Sequence, residues 1–443
     1  MTRYAIISKG LDVEAIRAEC ERLDAHNIVV AYSAKQVFCE MDDVAADILR
    51  QRADVAVKPI GKIGTADWVA RQRVARLGSQ QLVGTLPDLA LSPAVYGSSL
   101  ASILSYFYNL RAAMSPPITG VGSTTVVIDS GIRKSHVALR DKVVYEANFS
   151  SSPTAEDVFD HGTGVAYLIC GGRHAEGEES GIAPGASVMN LKVLEDDGTG
   201  STEAGVLAVE EAINLRLDAL EQGLPETAPM LPNIINLSVG APDDGDPDNP
   251  LRVACRAAVE AGLAVVAAAG NDGPNPGTVM VPAVDPKVAA VGAVTFSPFQ
   301  VWEQSSRGPT MEGVVKPDLV FFGVSLLVAS ARDDNTFVVK SGTSFASPCV
   351  CGASGLMEEA TIRLFGQPFS QEQAMSSFPL VTRKPEGAPA GKDNDYGYGM
   401  PSGDLIMRAA ASQAGLGAAG SLLNMMLPLM MMGTMAKMIG NQK

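Results

Sequence analysis

The sequence has few of the residues that build disulfide scaffolds, metal centres and nucleic-acid surfaces. Its 443 residues include only six cysteines and four histidines, and the cysteines form no CxxC pair. A disulfide framework or a structural zinc site is therefore not expected, and a reducing compartment is the default. The 34 Lys and Arg residues face 49 Asp and Glu residues, which gives a formal charge of −15. This excess argues against nucleic acid and against an anionic membrane surface, since both partners need clustered basic side chains.

The two ends of the sequence differ in character. The first residues, MTRYAIISKG, lack a basic segment followed by a long apolar run, so a secretory signal is not recognised and a cytoplasmic location is expected. Residues 413–443 are rich in Met and Leu, and residues 409–436 carry no charge. A stretch of this length could span a bilayer, but Pro428 and the small residues before it favour an amphipathic tail that docks on a partner protein. Membrane association through residues 414–439 stays open.

The rest of the chain is rich enough in hydrophobic residues, 46% overall, to bury a large core. Residues 1–60 alternate strand and helix patterns in the order βαββαβ, which predicts a small ferredoxin-like α+β unit. Residues 61–100 are predicted to be a connector with one helix, ADWVARQRVARL. Over residues 101–412, apolar strands such as TTVVIDS alternate with helices. That pattern predicts an α/β fold, doubly wound around a mainly parallel sheet with helices on both faces.

Three short segments place chemically active side chains where predicted strands end or helices begin. Asp129 ends the strand VVID, His161 begins a helix at HGTGVA, and Ser344 begins another at GTSFASP. Because the carboxyl ends of parallel strands form the ligand crevice of such a sheet, the three residues can reach one site. A serine nucleophile needs a base, and the base needs a buried acceptor that fixes its tautomer. Asn271, just past the apolar strand before AGNDGP, could donate its amide to a developing oxyanion.

These motifs resemble those of the subtilisin-like serine proteases, the peptidase S8 family, in the order Asp, His, Ser. The resemblance covers about residues 101–412 and extends to INLSVG, SSRGP and KPDL. It implies a serine endopeptidase in which Ser344 is the nucleophile, His161 the general base, Asp129 its orienting partner and Asn271 the oxyanion donor. The βαββαβ unit resembles the family's inhibitory and chaperone-like propeptide.

The resemblance also implies where a protein or peptide substrate binds. The substrate would lie as an added strand between two edge segments. The residues implied to line this site are Gly198, Thr199, Gly200, Ser238, Val239, Gly240, Ala269, Gly270 and Met280. Met280 aligns near the base of the specificity pocket, where the family usually has a small residue. We therefore predict a shortened pocket that prefers modest apolar side chains to large aromatic ones.

The sequence departs from the family at its common calcium site. Ala138 stands where many members carry a calcium-binding Asp, and GGRHAEGEESG replaces the usual Asn-rich loop. We predict no cofactor and no retained metal site, although Glu176, Glu178 and Glu179 leave weak calcium binding open. The acidic run PDDGDPDNP at residues 242–250 could hold a cation, but a turn that caps the following helix is favoured.

Together these features predict an endopeptidase made as a self-processing zymogen, with its own residues 1–60 as an intramolecular inhibitor. Cleavage is expected near residue 60, near residue 100, or at both places. Two alternatives stay open. One is a pseudoprotease or assembly protein that presents its ends as interaction modules, and the other is a membrane-anchored processing enzyme. The natural substrate, the source organism and the oligomeric state do not follow from the sequence.

Overall fold

The computed structural model of the chain describes residues 1–77, 106, 109–112, 114, 116–172 and 181–403. The elements before the large domain are strands β1 to β5 and helices α1 to α3. The strands are Thr2–Ser8, His26–Ala31, Gln36–Met41, Val55–Pro59 and Lys62–Thr65, and the helices are Val13–Arg22, Asp43–Arg50 and Ala66–Leu77.

The N-terminal unit has the predicted βαββαβ order. Its sheet is antiparallel with the strand order β2-β3-β1-β4, so the two central strands are β3 and β1. An aspartate caps the N-terminus of each helix: the Asp12 side chain accepts a hydrogen bond from the amide of Glu14, and the Asp42 side chain accepts one from the amide of Ala45. The helices cover one face of the sheet, where Ile6, Ile16 and the other apolar side chains form a core of their own.

The large domain is built around one eight-stranded sheet. Its strands, together with those of the smaller sheets, are β6 to β19: Thr124–Asp129, Val143–Asn148, Ser187–Lys192, Thr199–Ser201, Ile234–Leu237, Val239–Gly240, Ala264–Ala268, Ala289–Thr295, Gln300–Val301, Leu319–Phe322, Leu326–Ala329, Phe337–Lys340, Thr382–Arg383 and Met400–Pro401. Its helices are α4 to α8: Gly162–Cys170, Thr202–Glu221, Pro250–Glu260, Thr343–Phe365 and Gln371–Val381.

The strand order of the large sheet is β14-β13-β12-β10-β6-β8-β7, with β15 also paired to β13. All of these pairs are parallel except β13 with β14. Every residue of β6, β10 and β12 is buried, because helices pack on both faces of the sheet and form two separate apolar cores. The predicted doubly wound α/β fold is confirmed.

The N-terminal sheet docks on helices α5 and α6 of the large domain. Glu210, buried on α5, accepts hydrogen bonds from the amides of Ser33 (2.7 Å) and Ala34 (3.0 Å). The buried amide of Gln36 donates to the carbonyl oxygen of Pro250 at the start of α6. Phe38 and three alanines of the N-terminal unit join the apolar core under these helices. The interface therefore combines buried hydrogen bonds with apolar contact.

Within the described residues, no helix is long and apolar enough to cross a membrane. Residues 404–443 lie outside them, and so do the predicted docking tail and the alternative of an anchor at 414–439.

Candidate active site

Asp129 and His161 come together at the carboxyl end of β6. Asp129 is the last residue of this strand, and His161 precedes the first residue of α4. The Nδ1 atom of His161 lies 2.7 Å from Oδ1 of Asp129, and both side chains are buried. Burial by itself lowers the pKa of His161, but the negative charge and the hydrogen bond of Asp129 outweigh it and raise that pKa above its ordinary value. The carboxylate therefore fixes the ring and favours its protonated form.

A second carboxylate holds this pair in place, and sequence analysis did not find it. Asp157 is buried and accepts hydrogen bonds from the hydroxyls of Ser130 and Thr163 and from the amides of Asp160, His161 and Thr163. It thereby connects the loop after β6 to the start of α4, where His161 is the N-cap residue. A lone Asp five residues before a helix resembles an ordinary turn residue, so the sequence alone gave no sign of this role.

Ser344 lies in the first turn of the long, largely buried helix α7. Its hydroxyl donates to the carbonyl oxygen of Ser238 (3.2 Å), and the hydroxyl of Ser238 donates to the carbonyl oxygen of Ser344 (2.8 Å). The ring of the next residue, Phe345, lies 5.2 Å from the His161 ring between centroids. Ser344 therefore lies near the Asp129–His161 pair. Its hydroxyl is hydrogen-bonded to the carbonyl oxygen of Ser238, between β10 and β11, and not to the imidazole.

Asn271 faces the same helix N-terminus. Its side-chain oxygen accepts from the amide and the hydroxyl of Thr343, both at 2.9 Å, and these two bonds fix which way the amide group points. The side-chain nitrogen of Asn271 donates to Oδ1 of Asp67 at 2.6 Å. A fixed amide donor beside a helix N-terminus is suited to stabilising a developing negative charge.

The two predicted edge segments are occupied by the chain itself. Strand β5 (Lys62–Thr65) forms a three-stranded antiparallel sheet between β9 and β11. Ile63 pairs with Gly200, Gly64 with Thr199 and also with Gly240, and Thr65 with Val239. Residues 62–65 therefore have the extended conformation and the hydrogen-bonded neighbours predicted for a bound substrate. The sequence placed these residues in a connector and predicted no strand there.

The end of this strand brings one peptide bond close to the predicted oxyanion donor. The last pair of β5 with β11 is Thr65 with Val239, so Ala66 follows β5 just as Ser238 precedes β11, and the carbonyl oxygen of Ser238 binds the Ser344 hydroxyl. The following residue, Asp67, contacts Asn271. The bond between Ala66 and Asp67 therefore lies just past the end of β5, next to the residue that contacts the predicted oxyanion donor. Helix α3 begins at this point, and its bounds, Ala66–Leu77, are those predicted for the helix of the connector.

Met280 lies beneath Ala66. Both side chains are fully buried in a small apolar cluster with Val69 and Ala268, and Trp68 packs against it. A Cβ atom on Gly240 would lie 3.1 Å from Sδ of Met280, and one on Gly270 would lie 3.6 Å from its Cγ. The Met280 side chain therefore fills the space between two glycine-lined walls. Gly198 and Ala269, the other predicted contact residues, lie in the segments that frame this cleft.

The remaining candidates lie apart from the chemistry. His136 is buried, bonded to the carbonyl oxygen of Thr336 and the amide of Ala138, and its burial lowers its pKa. In the acidic run, Asn249 caps α6 as predicted, while Asp246 also pairs with Lys58 of the N-terminal unit. No group of three metal-ligating side chains occurs among the residues that the structure describes. Glu176, Glu178 and Glu179 lie outside them. All six cysteines are buried and unpaired.

Comparison with known proteins identifies the family. The family model described as "Subtilase family" matches residues 120–399, which is more than half of the chain. Serine protease AprX of Bacillus subtilis is 31% identical over 265 residues, which cover 54% of this chain and 58% of AprX. Subtilisin E of Bacillus subtilis is 35% identical over 250 residues (56% and 58%), and subtilisin DY of Bacillus licheniformis is 36% identical over 234 residues (52% and 74%).

The match thus spans 58% of the length of the first two relatives. The match to the family model includes the β6 end that carries Asp129, the α4 start at His161 and the α7 start at Ser344, but not the N-terminal unit or strand β5. By fold, site and family match, the chain belongs to the subtilase family of peptidases.

Proposed function

We propose that the protein is a serine endopeptidase that hydrolyses protein or peptide substrates. The observation that carries the proposal is strand β5 (Lys62–Thr65), which pairs across the cleft and is followed by Ala66 and Asp67, the second of which accepts a hydrogen bond from the Asn271 amide. Backbone pairing of this kind recognises an extended chain with little dependence on its side chains. Such a cleft is suited to cutting polypeptides.

Each site residue has a distinct role in the proposed reaction. Ser344 Oγ attacks the carbonyl carbon of the bound peptide while His161 accepts the hydroxyl proton, and Asp129 stabilises the imidazolium that forms. The Asn271 amide and the backbone N–H of Ser344 donate to the oxyanion. His161 then returns the proton to the departing amine, which leaves an ester on Ser344. Water attacks this ester with His161 again as the base, which releases the acid product and restores the serine.

The same contacts support a zymogen that processes itself. Residues 1–60 cover α5 and α6, and β5 fills the cleft, so a second polypeptide cannot bind while the segment is in place. The register favours Ala66–Asp67 as the first bond cut. This position refines the prediction of cleavage near residue 60. A second cut near residue 100 stays a prediction, because residues 78–105 lie outside the described part.

Met280 supports a preference for small residues on the amino side of the cleaved bond. Ala66 already fills the space above the methionine, and both side chains are fully buried. The cytoplasmic location and the docking role of residues 413–443 stay predictions.

Casein degradation and active-site labelling test the proposed function. The processed wild-type protein should degrade casein and react with a fluorophosphonate probe at Ser344, as peptide mapping would show. The Ser344→Ala variant should do neither, while a Ser347→Ala variant, altered one helical turn further along α7, should still react. A folded, processed wild-type protein that neither degrades casein nor binds the probe would contradict the proposal and favour an assembly role.

A further inference from the structure

The carboxylate of Asp67 contacts Asn271, the side chain that is predicted to stabilise the oxyanion. Oδ1 of Asp67 accepts from the Asn271 amide at 2.6 Å, across 204 residues of sequence. The oxygen of the same amide is bound twice by Thr343. Asn271 is therefore held from both ends: Thr343 fixes its orientation, and Asp67 takes a hydrogen bond from the nitrogen that faces the cleft.

This contact places a negative charge where catalysis needs to accommodate another. When Ser344 attacks the carbonyl of Ala66, negative charge develops on that carbonyl oxygen, close to the Asn271 amide. A carboxylate that already accepts from this amide competes for its donor and repels the new charge. Asp67 is itself exposed while Asn271 is buried, so the two meet at the mouth of the site. The Asp67 charge therefore raises the free energy of the cleavage transition state more than that of the bound ground state.

The local backbone keeps Asp67 at this place. Helix α3 begins immediately after β5, with Asp67 in its first turn, where an acidic side chain is favoured by the helix dipole. Trp68 lies against Gly64 so closely that a Cβ atom there would meet the indole at 2.6 Å. The Trp68 amide points back to the hydroxyl of Thr65 (3.4 Å). The turn from strand to helix is therefore built to present the carboxylate to Asn271.

We propose that Asp67 is an autoinhibitory latch that slows the chain's own cleavage between Ala66 and Asp67 by engaging the oxyanion donor Asn271. The inference rests on the proposed function. It goes beyond occupation of the cleft, because it assigns the delay to one carboxylate rather than to the bound segment as a whole. After cleavage, Asp67 becomes the amino-terminal residue of the departing side and Asn271 is free for other substrates.

The rate of self-cleavage of the full chain tests this latch. Wild type, Asp67→Asn and Asp67→Ala would be diluted together from denaturant, and the unprocessed chain would be followed by intact mass. Removing the charge should speed conversion roughly ten-fold or more, since a charge-assisted hydrogen bond is about twice as strong as a neutral one. Asp47→Asn, which removes an exposed carboxylate from α2 far from the site, should convert at the wild-type rate.

A second variant separates the charge from the stability of helix α3. Ala70→Gly weakens the same helix without altering Asp67, because glycine is a poor helix former. It should accelerate conversion much less than Asp67→Asn does. Equal acceleration by Ala70→Gly, or an Asp67→Asn chain that converts no faster than wild type, would overturn the latch.

Casein hydrolysis by the processed proteins distinguishes the two proposals. If processed wild type degrades casein but Asp67→Asn converts at the wild-type rate, the latch is wrong and the proposed function stands. If wild type and Asp67→Asn both stay whole and neither degrades casein nor reacts with a fluorophosphonate, both proposals are overturned.

Discussion

Replacement of Met280 by alanine should change which residue the site accepts before the cleaved bond. Met280 is fully buried and lies between Gly240 and Gly270, in one apolar cluster with Ala66. Loss of its three outer side-chain atoms would open a pocket between the two glycines. A phenylalanine side chain could then enter the space that now admits only a methyl group.

The size of the effect follows from packing energies. In the wild type, a phenylalanine at this position has to displace Met280, and overpacking of a filled site costs about 1–3 kcal/mol. In Met280→Ala, burial of the same ring in the new pocket contributes about 2–3 kcal/mol. Since 1.4 kcal/mol corresponds to a factor of ten, the preference for phenylalanine relative to alanine should rise by roughly 10²-fold or more.

Two peptide coumarin amides measure this preference on the processed enzyme. One would carry Ile-Gly-Thr-Ala, the sequence of residues 63–66, and the other Ile-Gly-Thr-Phe. The wild type should show the higher kcat/KM on the alanine peptide, and Met280→Ala should show the higher kcat/KM on the phenylalanine peptide. Val279→Ala is the matched control, because Val279 is equally buried but packs in a different apolar cluster.

Two results would refute this reasoning. One is a wild-type enzyme that cleaves the phenylalanine peptide as well as the alanine peptide. The other is a Val279→Ala enzyme whose preference shifts as far as that of Met280→Ala, which would show that the site adapts to any nearby cavity.

Three further predictions concern single groups. Asn271→Ala should lower kcat on the alanine peptide by about 10²–10³-fold with little change in KM, which is the cost of losing one oxyanion donor in subtilisin. An unchanged kcat would remove Asn271 from the mechanism. His161 must be neutral to accept a proton, and Asp129 raises its pKa. The fall of kcat/KM with decreasing pH should therefore be centred above the ordinary pKa of a histidine. A fall centred below that ordinary pKa would contradict the assigned pair. Burial raises the pKa of Glu358 to about 8, so between about pH 5 and pH 8 the folded state keeps a proton that the unfolded state loses. In the Ser344→Ala background, Tm should therefore decline from about pH 5 to pH 8. Glu358→Gln should remove this decline, and an equal decline in that variant would refute the assignment.

The sequence was informative about the site where chemistry and local structure coincide. Asp129, His161 and Ser344 each lie at a boundary between an apolar run and a polar or glycine-containing turn, and such boundaries are visible in a single sequence. The parallel sheet then brings these boundaries to one edge, which is why the predicted residues lie near one another. The helix over 66–77 was also predictable, because its pattern is local.

Strand β5 could not be predicted in the same way. KIGT is short and has no strong strand pattern. It becomes a strand because β9 and β11, each more than 130 residues away in sequence, supply hydrogen-bonding edges on both of its sides. The contact between Asp67 and Asn271 and the burial of Ala66 over Met280 depend on this strand. These features are set by long-range pairing, which a pass along the chain does not reveal.

The most direct test of the account is the intact mass of the full chain beside that of Ser344→Ala. Wild type should lose its N-terminal unit and gain a new N-terminus at Asp67, while Ser344→Ala should stay whole under the same conditions. Conversion of Ser344→Ala at the wild-type rate, or a wild-type chain whose first cut falls elsewhere than between Ala66 and Asp67, would contradict it.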